Sequence, residues 1–344
     1  GSKEYNTELC KRAADAFGQA LALTESTNRY ELADFSEYND IFLLHNSSGK
    51  LNGVKESIFM ENIKDYSFRW RWNMVNDFRP QSIESSGIKS YPTANYVNYY
   101  GMQNGYPIND MTKADAESGY DPTHPWKNRD PRFYKTIMFD GVKWRNTGGA
   151  GGTAELFTGG RESEEANEKK GCFTAYMNSK LCPQLMNTFD GYKENNIMIL
   201  SLMRLADVYL MYAEATAVGY NSPKGKAATY SLTAEEALNK IRERAGVAPV
   251  LEKFLGSTAD FLSELRRERA VELSFEGFRF TDLRRWMLLT QYPYTLKTKI
   301  EFDRADPNNY NYDAPEENAI KNLREVVLIE RKYTDRHYWY PLPK

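Results

Sequence analysis

Two tryptophans, two arginines and an asparagine fall within Ser67 to Asn73, SFRWRWN. That mixture suits the chemistry of sugar recognition. A pyranose offers an apolar C–H face ringed by hydroxyls, so it takes a flat aromatic platform and planar hydrogen-bonding groups beside it. If the segment is extended, alternation puts Arg69 and Arg71 on one face and Phe68, Trp70 and Trp72 on the other. The aromatic face can serve a ligand or a core. The candidate ligand contacts are therefore Trp70, Trp72, Arg69, Arg71 and Asn73, followed by Tyr91 in YPTANYVNYYGMQNGYP and by the loop residues Trp126 and Trp144. Tyr96 and Tyr100 share a helical face at i,i+4 and are expected in the core.

Catalytic signatures do not accompany this cluster. The three histidines, His45, His124 and His337, are scattered without metalloprotease spacing. Glu164-Glu165, Glu235-Glu236 and Glu316-Glu317 sit in polar runs and read as solvated faces or helix caps, not as a glycosidase acid and base. Asn128 to Phe133, NRDPRF, reads as a turn with Pro131 at its corner and Arg132 tying down a loop. The GGAGG stretch at 148–152 lacks the Lys-Ser or Lys-Thr of a phosphate loop. Asp303, Asp306, Asn308, Asn309, Asn311 and Asp313 crowd one loop with oxygen ligands, but the order of a calcium loop fails at Tyr310, so a solvated turn is expected and no metal. The three cysteines are odd in number; Cys172 and Cys182 lie ten residues apart with no zinc spacing, which leaves an occasional bridge between them open. No cofactor is implied.

The elements that must position these residues divide the chain. With 344 residues a sizeable core is within reach. Charge is balanced at −2 and interspersed, so there is no basic stripe for nucleic acid and no polybasic membrane patch. No apolar run reaches the length of about 18 residues that spans a bilayer. Residues 1–65 read as a helical segment, with an amphipathic helix from Glu4 to Leu23, a second segment from Asp34 to Leu44 and an extended piece at Glu56 to Met60. Residues 66–192 lose helical periodicity and are punctuated by Gly and Pro, which marks a large irregular, ligand-binding region. Residues 193–290 return to helix. Ile197 to Val218 is apolar almost all round and should be buried. Thr233-Ala-Glu-Glu236 is a capping box opening a helix that Gly246 closes. Residues 291–344 read as an irregular C-terminal region.

Leu265 to Trp286, LRRERAVELSFEGFRFTDLRRW, reads as one long helix with too many apolar residues for an exposed one. Buried with them are charges that need partners. Spacing predicts Arg269 with Glu272 and Arg279 with Asp282. Gly277 weakens the helix by about 1 kcal/mol relative to Ala, which points to close packing or a bend.

This last stretch is similar to the hallmark of the SusD/RagB family of outer-membrane nutrient-binding lipoproteins. MRLADVYLMYAEA at 203–215, ALNKIRERAGV at 237–247 and YWYPLP at 338–343 resemble further family segments in the family's order. NRDPRF likewise resembles a recurrent family motif. The resemblance implies a mainly α fold, an α–α superhelix of tetratricopeptide-like helical repeats carrying the irregular insert as one SusD-like body. It implies non-enzymatic capture of an oligosaccharide or polysaccharide at the cell surface and delivery to a SusC-like TonB-dependent transporter. Membrane attachment would run only through a lipidated cysteine upstream of Lys3. Gly1-Ser2 reads as a cloning scar, and the chain as a piece of a longer protein. The alternatives are a glycoside hydrolase with a carboxylate pair and a repeat scaffold that binds peptides or proteins.

Overall fold

A computed structural model describes residues 4–44, 52–60, 78–79, 90–147, 149–182, 187, 189–190 and 197–339. Helix α1 (Thr7–Thr27) begins where the Asn6 side chain accepts from the Leu9 N–H at 3.0 Å and ends at Asn28 in the left-handed region. It buries Ala14, Gly18 and Leu21. Their partner is a helix between Leu205 and Gly219, which is enclosed along nearly its whole length.

The chain between them is short strands and loops. Strands β1 (Leu43–Leu44) and β2 (Ser57–Met60) precede a small helix α2 (Ala94–Val97) and a second, α3 (Pro131–Thr136). Strands β3 (Ile137–Met138) and β4 (Met177–Asn178) pair antiparallel. Then β5 (Ile197–Met198) pairs with β1, and β6 (Ser201–Arg204) with β2. The helix expected from Ile197 therefore starts only at Leu205, as α4 (Leu205–Gly219). A short apolar run cannot tell strand from helix. Here backbone partners decide, since Ile199 donates to Phe42 O at 2.8 Å and Leu205 to Glu56 O at 2.9 Å.

Helix α5 (Ala234–Ala245) has the predicted capping box. Glu236 N donates to Thr233 Oγ1 at 3.2 Å, Thr233 N donates to Glu236 Oε2 at 2.7 Å, and Gly246 closes the helix at φ +71°. The long charged stretch is two helices rather than one, α6 (Thr258–Glu272) and α7 (Phe278–Arg285). Between them Phe275 and Gly277 adopt φ of +62° and +88°. Nothing lies within 4 Å of a Cβ built on Gly277, so the glycine serves the bend and not close packing.

The C-terminal region, expected to be irregular, holds an antiparallel ribbon of β7 (Leu296–Arg304) and β8 (Ile320–Glu330). One face of β7 is buried, through Thr298, Ile300, Phe302 and Arg304. That alternation belongs to a ribbon with one side on a core. Two main cores result. One lies among α1, α4, α5 and α6, around Leu210, Tyr212, Leu238, Ile241 and Phe261. The other joins the loop-rich region to the ribbon, around Tyr100, Trp126, Phe133, Phe139, Ile300 and Phe302. Among the described residues no helix is long and apolar enough to cross a membrane, and no disulfide joins any two of Cys10, Cys172 and Cys182.

Candidate functional site

Arg269, Glu272 and Asp282 of the hallmark stretch are buried, as expected, while Arg279 is half-buried, and their partners differ from those that spacing predicts. Arg269 donates to Asp282 Oδ2 at 3.0 Å and to Asp207 Oδ1 at 2.7 Å, not to Glu272. Glu272 accepts from Arg132 at 3.0 Å, Arg204 at 2.7 Å and Arg244 at 2.5 Å. Arg279 does not pair with Asp282; its guanidinium lies 4.7 Å from the Tyr99 ring centroid. The physical reason is competition from other elements: each predicted pair lies within one helix, but Asp207 of α4 and Asp282 of α7 take Arg269, and Arg132, Arg204 and Arg244 take Glu272.

Glu272 anchors a larger seam. Glu56, Asp130, Glu264, Glu268, Glu272 and Glu276 meet Lys180, Arg132, Arg204, Arg242, Arg244 and Arg267, six carboxylates against six cations. Burial alone would raise the Glu272 carboxyl, but the Arg244, Arg204 and Arg132 charges outweigh it and hold the group well below the usual range. Arg132 comes from the NRDPRF segment. Asp130 caps α3 by accepting from the Arg132 N–H at 2.9 Å. The turn expected at Pro131 is thus the start of a helix, and Arg132 does tie the loop region down. The neighbouring Arg129 donates to backbone carbonyls of Val97, Tyr100 and Pro125. The seam is structural: it is enclosed and neutral in formal charge, and its groups are occupied by one another.

The aromatic candidates fare unequally. Trp70, Trp72, Arg69, Arg71 and Asn73 lie outside the described residues. Tyr91 is half-buried, edge-on to Phe173 at 5.0 Å. Trp126 and Trp144, expected as open platforms, are closed to solvent at 0% and 4% exposure. Trp126 stacks on Phe139 at 4.9 Å and meets Phe302 edge-on. Trp144 packs edge-on against Phe189. Gly- and Pro-rich sequence signals loops, but these loops fold over their own aromatic core, and the core takes the largest rings. Tyr100 is fully buried and the Tyr96 hydroxyl donates to Ala270 O at 2.6 Å, so that pair is core as expected. Asp306 is spent on a turn, accepting from Asn308 N and Asn309 N. Among the described residues no cluster of three His, Cys, Asp or Glu side chains could hold a metal.

An exposed aromatic pair appears elsewhere. Phe280 on α7 and Trp339 past the ribbon are 48% and 58% exposed and line one open cleft of about 740 Å³. Arg284, Thr334, Asp335, Arg336 and His337 complete its wall. Phe280 and Arg284 share a helix face at i,i+4, with the guanidinium 5.6 Å from the ring centroid. Arg284 Nη2 donates to Tyr338 O at 2.7 Å, which ties α7 to the C-terminal segment. Tyr338 is the peg of that segment. It is buried, and its hydroxyl accepts from Thr290 N at 3.1 Å. Trp339 follows in extended conformation, and alternation turns it outward. The His337 Nδ1 lies against the Thr334 N–H at 2.9 Å, which fixes the ring in the cleft wall. The cleft therefore offers two aromatic surfaces, two guanidinium groups and one imidazole. Among the described residues Asp335 is the one carboxylate in its wall. Sequence reading took YWYPLP as a family mark and missed Trp339 as a surface group. The signal available was its place beside a tyrosine able to anchor.

Helices around one core, loops and a ribbon around the other, and a charged seam at their boundary make up the fold. The chain belongs to the SusD family, whose model matches residues 55–344. A SusD-like protein of Bacteroides fragilis superposes with a TM-score of 0.64 at 22% identity, over 95% of this chain and 58% of that one. A SusD-like carbohydrate binding protein of the same organism gives 0.62 at 20% identity, over 97% and 60%. The chain thus spans about three-fifths of the length of these solved relatives. No curated protein sequence matches it.

Proposed function

We propose that this protein captures a glycan without transforming it. The observation that carries this reading is the open pairing of Phe280 and Trp339 with Arg284, Arg336 and His337, on a chain of the SusD family. Stacking on the rings and hydrogen bonds from guanidinium and imidazole groups would orient sugar hydroxyls. Glycoside hydrolysis needs two facing carboxylates, and among the described residues the cleft wall has Asp335 alone. Trp70, Trp72, Arg69, Arg71, Asn73 and Tyr91 stay proposed ligand contacts in this reading. The family supports a location on the outer face of the outer membrane and a SusC-like TonB-dependent transporter as recipient of the ligand. It also supports reading α4 and α5, with α1 packed on α4, as the tetratricopeptide-like part of the body.

Affinity electrophoresis through gels cast with individual polysaccharides tests the binding, and a reducing-sugar assay run alongside tests for turnover. Retardation by at least one glycan with no sugar release is the expected result. Sugar release above background at catalytic protein concentration would overturn the non-enzymatic reading.

A further inference from the structure

Most buried cations of this fold face carboxylates, through the seam and through the Arg269 and Arg304 pairs, and Arg129 faces backbone carbonyls. Three less enclosed cations stand together without a carboxylate among the described residues. Lys297 lies on β7 opposite Ile329. Arg331 follows β8, its N–H donating to Thr295 O at 2.9 Å, so the two side chains occupy the same face of the ribbon one step apart. Arg279 comes in from α7, with its guanidinium 4.7 Å and 5.6 Å from the Tyr99 and Tyr294 ring centroids. Among the described residues no carboxylate forms an ion pair with any of the three.

The lysine feels this arrangement. Burial, then the charges of Arg331 and Arg279, push its ammonium down to about 8. Like charges held together with reduced hydration are unfavourable until an anion joins them. The cluster is also reachable, since Arg331 is exposed and Arg279 and Lys297 are half-buried. A chain of contacts runs from it to the aromatic cleft. Arg331 Nη1 donates to the Tyr333 hydroxyl at 2.8 Å, and the Tyr333 ring stands 5.2 Å from the ring of His337 in the cleft wall.

We propose that the glycan is acidic, and that Arg279, Lys297 and Arg331 hold a fixed anion on a sugar unit next to those lying on Phe280 and Trp339. This rests on the glycan-binding reading above. Two sources supply that chemistry, a uronate carboxylate and a sulfate ester. Both are planar or fork-like acceptors suited to guanidinium groups, with the ammonium as a point charge.

Titration calorimetry with four probes tests it. These are oligogalacturonate and its methyl ester, and a carrageenan oligosaccharide and its desulfated form. The expected result is that one acidic probe binds at least about tenfold more tightly than its neutralised counterpart. Lys297→Gln and Arg331→Gln should each weaken that probe about tenfold, leave the melting temperature unchanged or higher, and flatten the loss of affinity with added salt. Which acidic probe responds identifies the anion. Equal binding of acidic and neutral forms, or variants that bind the acidic probe like the wild type, overturns the acidic assignment and leaves glycan capture standing. Failure of all four probes, when a neutral polysaccharide retards the protein in gels, also overturns the assignment alone. Failure of every glycan overturns both readings.

Discussion

Arg132 and Glu272, 140 positions apart, meet at 3.0 Å with both side chains fully enclosed. The contact ties the loop region to the end of α6, where the same carboxylate also holds Arg204 at the entry to α4 and Arg244 on α5. One glutamate thus joins four separate parts of the chain at the boundary between the two main cores.

Replacing Glu272 by Ala should leave three guanidinium groups short of a partner in a dry site. The expected cost is about 3–5 kcal/mol, read from urea unfolding. A change in melting temperature of a degree or so would show that solvent or other carboxylates compensate, and the structural role assigned here would fail.

The two classes of tryptophan should separate cleanly. Trp126→Ala empties a buried site and should cost about 3–5 kcal/mol of stability. Trp339→Ala and Phe280→Ala remove exposed rings, so stability should shift by no more than about 0.5 kcal/mol. Their effect should appear instead as weaker glycan retardation in affinity gels. Unaltered retardation in the double variant would remove the cleft from the binding surface.

Acid should unfold the protein through the seam. Burial opposes the charged forms of Glu264, Glu268, Glu272 and Glu276, but the neighbouring arginines outweigh it, and all four are held below the usual carboxylate value of 4.5. A group whose folded value is depressed contributes stability above its unfolded value and loses it as pH falls through the folded one. Asp140 and Glu162 are shifted upward and act in the opposite sense, but they are fewer. Melting temperature should therefore drop ever more steeply below about pH 4.5. A flat profile from pH 6 to pH 3 would contradict the seam's charge state.

Lys180 makes a prediction of the same sign at alkaline pH. It is enclosed between Glu276 Oε1 at 2.6 Å and the Phe42 ring, and burial lowers its ammonium from 10.5 to about 8. The folded protein then binds fewer protons than the unfolded chain between these values, so this group's contribution to stability rises with pH across that window. Relative to Lys180→Met, the wild type should gain stability between pH 7.5 and about pH 10. Chemical unfolding of both proteins at several pH values measures the difference, and a difference independent of pH would refute the shift.

Local chemistry was legible along the chain. The Thr233–Glu236 capping box, the closing Gly246, the short strand near Ser57 and the burial of Arg269, Glu272 and Asp282 follow from rules that act over a few residues. So do the motifs that mark the family, because their order survives in one dimension. The partners of those charges were not legible. Gly277 permits a bend but does not say which way α7 turns, and the turn brings Asp282 to Arg269, while Asp207 and Arg132 reach α6 from distant segments. Surface and core roles for aromatic rings were equally hidden. Trp126 sits in a loop by composition and in the core by packing, while Trp339 is held outward by the burial of its neighbour Tyr338. Burial is a property of distant segments that close over a residue, so tertiary structure alone decided which rings and which cations remained free to meet a ligand.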